Sequence, residues 1–396
     1  MAAFKNLLLR VHHSIPPEFR KYYGFLGLMV ENLKKSFSPV YLASCVERES
    51  GEFIKVLYIG WDTKLFQYWL GRFCDEPGDI NRQLLIVRWR ISHWLLRQKK
   101  GADLVFVENP MREESGLDHG FILPVWMEMV IDLQKSLSKS RMRNIVRNIK
   151  KYGLTYEIRK DIEDFDLFYR NMYVPFSLQR HGANAEIADY KHFAGKFRNE
   201  SSMLFFIIAD QKSVAGAYVE LKENQQRLSA FGILDGSEEY YNQGVLGALY
   251  FFIIHYFYER GEDMLLVGNS RPVVFDGVSE YKRQIGAAPY EKDLKGRKKL
   301  RFMLMNSSIP VVNILKNNPL YIFNNQYLQM VLFFDEHDFK SKEQFMTFFK
   351  RIHPEQVNKL NIIINGSDQL IKKWMMEEGI VHSTFYDSDL LLPSMI

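Results

Sequence analysis

Residues Glu239–Gly261 read EYYNQGVLGALYFFIIHYFYERG and combine two signals. A short loop containing Gly244 and Gly247 comes first, and the most apolar helix-like segment of the chain follows it. Glycines at a helix N-terminus allow backbone N–H groups to bind phosphate. Small residues at the entry of a buried helix are equally expected from packing alone. The stretch therefore predicts a core helix and leaves the purpose of its loop open.

The runs on either side of this stretch predict a sheet. Three apolar runs separated by turn-forming residues precede it and predict an antiparallel meander: LFFIIAD (204–210), SVAGAYVEL (213–221) and RLSAFGIL (227–234). A strand, DMLLVGN (263–269), and a helix, DGVSEYKRQIG (276–286), follow it. Before the meander, residues 138–153 predict a basic helix, 154–160 a strand, and 161–182 a helix that gives way to a loop.

Both ends of the chain predict further α/β structure. FIKVLYIG (53–60) and ADLVFVENP (102–110) are typical of strands, and LLIVRWRISHWLLRQKKG (84–101) is typical of an amphipathic helix. KGRKKLRF (295–302) is either a linker or a strand. After residue 306 strands and helices alternate, which predicts a small α/β appendage.

Composition narrows the class of protein. The chain has 396 residues, 47% of them hydrophobic and 25% charged, as in a globular protein of two or three domains. A net charge of +5 makes an anionic ligand plausible without indicating a nucleic-acid binder. We find neither a signal peptide nor an apolar run of transmembrane length. Cys45 and Cys74 have no metal-like spacing and predict reduced, packed thiols, so the sequence predicts a cytoplasmic protein.

The order of elements in 138–300 resembles the GNAT acyltransferase fold, and more narrowly its FemAB-like branch, which has two GNAT-like domains in one chain. The residues that carry the resemblance are SKSRMRNIVRNIKKYGL (138–154), DQKSVAGAYVEL (210–221), NQGVLGA (242–248) and VGNSRPVVFDGVSEYKRQIGA (267–287). GWDTKLFQYWLGRF (60–73) is similar to a tryptophan–aspartate segment of GNAT enzymes that acetylate sugar amines.

The resemblance implies an α/β (α+β) fold of tandem GNAT-like domains with mixed, mostly antiparallel sheets. It implies a degenerate GNAT-like domain over 1–135 and an acyltransferase domain over 136–305, and 306–396 would be the appendage. No permanently bound cofactor is implied, and acetyl-CoA or another acyl-CoA would be the co-substrate.

The implied donor site is the loop before the long helix. The family pattern there is Gln/Arg-x-x-Gly-x-Gly/Ala. Gln243 and Ala248 match it, Leu246 replaces the inner glycine, and Gly244 and Gly247 are out of register. Residues implied to bind the donor are Gln243, Gly244, Val245, Leu246, Gly247, Ala248 and Asn269.

Tyr281 matches the tyrosine that protonates the leaving group in many GNAT enzymes, although packing of its ring explains it equally well. Asp276 is interpreted as a helix N-cap. Glu220, Asp235 and His181 are candidate bases without a motif, and exposed strand-end carboxylates are the simpler explanation of the first two. Arg180, Arg271 and Lys282 are candidate substrate-binding residues. No Ser-His-Asp, Cys-His or metal-ligand spacing is found.

The segment Ser138–Gly153 contains six basic residues and no acidic one. Arg143 and Arg147 are candidates for contacting a substrate. The helix could be a solvated face, could bind the phosphates of a lipid-linked or nucleotide-linked acceptor, or could contact tRNA or an anionic membrane. Aromatic residues are not interleaved, which disfavours stacking on single strands.

These observations favour an acyltransferase that moves an acyl group from acyl-CoA to an amine, or less readily a hydroxyl, of a cell-envelope or polysaccharide precursor. The acceptor follows from family analogy alone. An aminoacyl-tRNA-dependent aminoacyltransferase and a non-catalytic GNAT-fold scaffold are the alternatives.

Overall fold

A computed structural model gives the fold. It describes 36–76, 78–91, 94–95, 101–110, 120–182, 185, 187–199, 201–221, 225–291, 297–324, 327–335, 337–352, 357, 359–365, 369–378, 380 and 383–387, without the side chains of 89, 181, 324, 365 and 385–387. The chain forms two compact units. Among the described residues, the first unit combines those within 36–122 and 299–317, and the second combines those within 123–298 and 318–387.

The first unit is built on a sheet of order β3-β1-β2-β4-β13-β5. Its elements are β1 (Phe37–Val46), β2 (Phe53–Ile59), α1 (Thr63–Phe73), β3 (Asn81–Val87), β4 (Leu104–Glu108), β5 (Phe121–Pro124, whose last two residues fall in the second unit), β13 (Lys299–Leu304) and α10 (Ile309–Asn317). Strand β1 is antiparallel to β2, and β2 is parallel to β4. Trp69 of α1 stacks on Phe106, which stacks on Phe302 with ring centroids 4.7 Å apart.

The second unit contains a sheet of order β12-β6-β11-β10-β9-β8-β7. Its strands are β6 (Met127–Asp132), β7 (Thr155–Arg159), β8 (Ser202–Ala209), β9 (Lys212–Glu220), β10 (Gln226–Ile233), β11 (Met264–Ser270) and β12 (Ala287–Pro289). Its helices are α2 (Leu133–Leu137), α3 (Ser140–Lys151), α4 (Ile162–Leu167), α5 (Val174–His181), α6 (Tyr190–Arg198), α7 (Glu238–Gln243), α8 (Val245–Glu259) and α9 (Gly277–Gln284). One apolar core lies between the sheet and helices α3 and α8, and another between the sheet and α4, α5 and α6.

The C-terminal part of the second unit has its own sheet, β14-β15-β16-β17. Its elements are β14 (Leu320–Asn324), β15 (Tyr327–Asp335), α11 (Lys342–Ile352), β16 (Lys359–Asn365), α12 (Gln369–Glu377) and β17 (Ser383–Asp387). Strands β15, β16 and β17 are parallel, and helices connect them. The α/β fold class with mixed sheets is confirmed.

Two local predictions differ from the structure. Residues 81–87 form strand β3, whereas a helix was expected from residue 84. The expected loop after α4 is helical, because a π-helical turn, Phe168–Tyr173, joins α4 to α5. Residues 299–304 form β13 of the first sheet, which is the strand alternative for KGRKKLRF.

The prediction of two reduced thiols is wrong. Cys45 at the end of β1 and Cys74 after α1 form a disulfide, with a sequence separation of 29 residues. The spacing of two cysteines in the sequence cannot reveal that β1 and the end of α1 meet in space.

We expect loss of this disulfide to destabilise the first unit. In the chain-entropy model, closing a loop of this length lowers the conformational entropy of the unfolded chain. This stabilises the folded state by roughly 3 kcal/mol. Chemical denaturation of Cys45→Ser should show this loss, and adding a reductant should change its midpoint no further. Full alkylation of both cysteines in the unreduced native protein would contradict the disulfide.

Candidate functional site

The candidate site lies where two parallel strands of the second unit diverge. Strands β10 and β11 pair only at Gln226–Leu265 and Arg227–Leu266. β10 continues to Ile233 and β11 to Ser270 without further mutual pairing, so the two strand ends leave a gap in the sheet. Helix α8 follows β10 and helix α9 follows β11. The chain thus passes from β10 through α7 and the predicted donor loop into α8, and from β11 into α9, which carries Tyr281.

The donor loop is a junction between two helices. Gly244, at φ +85°, ends α7 and also precedes the first residue of α8. No side chain caps the N-terminus of α8. Its first N–H groups consequently lack the internal carboxylate or hydroxyl partner that many helices provide. The dipole of this 15-residue helix favours negative charge at this end.

The glycines of the loop also serve packing. A Cβ on Gly247 would lie 3.1 Å from Ile145 Cγ1, and one on Gly244 would lie 2.9 Å from Asn148 Nδ2. Both neighbours belong to α3, so the missing side chains allow α3 to pack closely against α8. Val245 and Ala248 are buried, whereas Gln243 and Leu246 are only half-buried.

In the first unit the hairpin β1–β2 is also followed by a helix, α1, but side chains close the N-terminus of that helix. Glu108 of β4 accepts hydrogen bonds from Trp61 N at 2.6 Å and Asp62 N at 3.2 Å, beside the start of α1. Asp62 caps Leu65 N at 3.0 Å. A side chain at Gly60 would collide with the Glu108 carboxylate. An internal anion thus occupies the position that α8 leaves open in the second unit.

Tyr281 joins a cluster of aromatic rings and arginines. Its ring centroid lies 5.6 Å from that of Tyr250, and the Arg141 guanidinium lies 5.8 Å from the Tyr281 ring. Burial raises the pKa of Tyr281 to about 12, against a lowering effect of Arg141. The phenol therefore keeps its proton at neutral pH.

Arg180 reaches the same cluster from α5. Its guanidinium lies 3.8 Å from the Tyr241 ring and 5.5 Å from the Phe176 ring. Phe231 connects Phe176 to Tyr250, with ring centroids 6.1 Å from each. The structure thus brings Arg180, Tyr281 and the residues just before the donor loop together. His181 ends the same helix, and its side chain lies outside the described part of the structure.

Lys282 is buried beside the gap. Its Nζ donates to Gly268 O at 3.0 Å and to Asn269 O at 2.9 Å, and 4% of the residue is exposed. Burial lowers the pKa of Lys282 to about 7, although the charge of Glu128 partly opposes that shift. The amine is therefore near its titration midpoint at neutral pH.

This shift predicts a pH-dependent stability. Between pH 7 and 10.5 the unfolded chain holds a proton that the folded chain has released, so stability should rise with pH in that window. From pH 7 to 9.5 the free energy of unfolding should increase by about 3 kcal/mol. Denaturant unfolding at both values should show this gain in the wild type and little of it in Lys282→Met. An equal gain in both proteins would contradict the assignment.

A charged cluster that the sequence analysis missed adjoins Lys282. Glu128 of β6 is 3% exposed and forms ion pairs with Arg227 at 2.8 Å and Arg297 at 3.6 Å. Arg297 also donates to Asn269 Oδ1 at 2.7 Å. The sequence signal for this cluster was an acidic residue, Glu128, inside the apolar run of β6. Asn269, predicted to bind the donor, lies at the edge of this cluster.

The other predicted residues lie elsewhere or have structural partners. Glu220 faces Arg227 across β9 and β10, at the opposite end of β10 from the donor loop, and Lys196 Nζ donates to it at 3.0 Å. Burial alone would raise the pKa of Glu220, but the hydrogen bond and the charge of Lys196 oppose it, and the pKa is lowered. Arg271 donates to Val125 O at 3.2 Å and stacks on Trp126.

The remaining predictions concern Asp235, Asp276 and the basic helix. Asp235, at φ +53°, lies in a turn after β10. Asp276 accepts from Val278 N and Ser279 N, which confirms it as the N-cap of α9. Arg143 and Arg147 are exposed on α3.

Comparisons with known proteins give a distant likeness in structure. No protein-family model matches the chain, and no curated protein matches it. FemX is 12% identical with a TM-score of 0.36, and the match covers 68% of this chain and 89% of FemX. A GCN5-related N-acetyltransferase from Sphaerobacter thermophilus is 14% identical with a TM-score of 0.28, covering 68% and 78% of the two chains. One from Kribbella flavida is 14% identical with a TM-score of 0.26, covering 50% and 66%.

Proposed function

We propose that the protein is an acyltransferase that uses acyl-CoA and transfers the acyl group to an amine. One observation carries the proposal. The uncapped N-terminus of α8 lies in the connection that follows β10, and Tyr281 lies on the helix that follows β11, the parallel strand that diverges from β10. The helix end supplies donors for the pyrophosphate of CoA. The gap gives an extended thioester arm a course between the strands.

In the proposed reaction one side chain, Tyr281, both donates and regains the proton that is transferred. The acceptor nitrogen attacks the acyl carbon, and a C–N bond forms as the C–S bond breaks. Tyr281 gives its phenolic proton to the departing sulfur. The proton lost by the nitrogen then returns to Tyr281, so the phenol is restored at the end of each turnover.

The acceptor class rests on the sequence resemblance. We propose an amine, or less readily a hydroxyl, on a lipid-linked or nucleotide-linked precursor of the cell envelope or of a polysaccharide. A cytoplasmic location stays a prediction, and the Cys45–Cys74 disulfide counts against it, because disulfides persist mainly in oxidising compartments. No helix in the described segments has the length and apolarity to cross a bilayer.

Aminoacyl-tRNA is the second candidate donor, and Leu246 is the residue that favours it. A leucine at the inner position of the loop narrows the approach of a pyrophosphate. Thiol release from acetyl-CoA in the presence of a panel of amino sugars tests the first donor. Aminoacyl transfer from charged tRNA, without thiol release from acetyl-CoA, would identify aminoacyl-tRNA as the donor instead. If neither reaction is detected, the result would favour the non-catalytic alternative.

A further inference from the structure

Helix α3 has two sharply different sides. Met142 and Ile145 are buried, and Ile145 packs at the position of Gly247 on α8. Four basic residues, at helical offsets of zero, four, seven and eight, share the opposite side. We call this group the basic stripe: Arg143, Arg147, Lys150 and Lys151, all exposed.

The basic stripe is not neutralised by its own protein. Within the described ranges, none of its four residues forms an ion pair with a carboxylate. Two other exposed lysines of the second unit do form ion pairs, Lys135 with Asp132 and Lys342 with Glu377, each at 2.9 Å. Four adjacent unpaired cations repel one another, and an external anionic surface would relieve that repulsion.

Helix α8, which packs beside α3, adds apolar rings to this region. Phe251 and Phe252 are half-buried, with ring centroids 5.5 Å apart, and His255 lies 5.7 Å from Phe251. Tyr258 on the same helix is 43% exposed. Rings on a helix that packs against a cation-bearing helix suit the boundary of a bilayer, where apolar side chains meet acyl chains and cations meet phosphates.

A nucleic acid fits this arrangement less well. Bases stack on rings that alternate with cations along the path of the strand. Lys151 lies 4.8 Å from the Tyr152 ring, but the stripe has no ring among its four positions, and the rings of α8 lie on a separate helix. We propose that the basic stripe, together with rings of the neighbouring helix α8, holds the protein on an anionic phospholipid surface. This inference is independent of the proposed transfer reaction.

Vesicle co-sedimentation of the full chain tests the proposal. The probes are vesicles of phosphatidylcholine alone and of phosphatidylcholine with phosphatidylglycerol. We expect binding only to the second kind, and weaker binding as salt shortens the electrostatic range. Each cation should contribute about fivefold to the partition coefficient, so R143Q/R147Q/K150Q should lower it by roughly 100-fold.

Two further variants make the test specific. K191Q/R198Q/K212Q removes the same charge from other exposed positions of the second unit and should change binding only a few-fold. Asn144→Lys adds a cation to the exposed part of α3 and should strengthen binding about fivefold. Equal losses in both triple variants, or no binding to phosphatidylglycerol vesicles, would overturn the proposal. So would a stripe variant that keeps vesicle binding and loses tRNA in a gel-shift assay.

Discussion

Replacing Tyr281 by phenylalanine should lower the rate of acyl transfer by at least about 100-fold, because a positioned acid contributes roughly 10²–10⁴-fold. The ring would still pack against Tyr250, so the fold and donor affinity should change little. Only the proton for the leaving group is lost. Steady-state kinetics that resolve kcat from the KM of the donor would show a loss confined to kcat.

Tyr258→Phe provides the matched control. Tyr258 lies on α8 and is exposed, and its replacement by phenylalanine removes the same hydroxyl group. The kcat of this variant should stay within about twofold of the wild type. The relay through Tyr281 fails if Tyr281→Phe retains full kcat, or if both variants lose rate equally.

Replacing Glu108 by alanine should destabilise the first unit by about 3–5 kcal/mol. The carboxylate holds the backbone N–H groups of Trp61 and Asp62, and a hydrogen bond to a charged acceptor contributes about 1.5–3 kcal/mol. Truncation also leaves those donors without their partner. Denaturant unfolding, followed by the fluorescence of the buried Trp69, should show the loss as an earlier midpoint.

Two further variants serve as comparisons for Glu108→Ala. Glu52→Ala removes an exposed carboxylate from the same unit and should change stability by less than about 0.5 kcal/mol. Glu108→Gln keeps one acceptor oxygen and should fall between the alanine variant and the wild type. Equal stability of the Glu52 and Glu108 variants would show that the helix end of the first unit does not depend on its internal carboxylate.

Local patterns were sufficient for most of the second unit. The meander β8–β9–β10, the apolar helix α8 and the succession β11–α9 follow from periodicity and turn residues. Non-local pairing was not accessible in this way. Leu300 pairs with Glu108, which lies about half the chain length earlier, and nothing in KGRKKLRF specifies that partner. Pro175 explains the missed helix, since it lies in the first turn of α5, where the N–H that it lacks is not required.

The roles of the candidate site residues stay predictions. Tyr281, Arg180 and the donor loop were named from the sequence, and the structure links Tyr281 to Tyr250 on α8 and Arg180 to Tyr241 just before the loop. The burial of Lys282 was not foreseeable, because α9 is mostly polar. Its Nζ reaches the carbonyls of Gly268 and Asn269, where Gly268, at φ +75°, belongs to a bulge of β11. Glu128 likewise finds Arg227 only because β6 and β10 flank β11.

The open end of α8 is the central claim, and calorimetric titration of the full chain with acetyl-CoA tests it most directly. We predict saturable binding of one molecule per chain. Leu246→Glu, which places a negative charge at the helix end, should weaken that binding at least about tenfold. The matched control Met264→Glu, at an exposed position on β11, should leave it unchanged. No saturable binding by the wild type, or equal affinity in all three proteins, would contradict a CoA site at this helix.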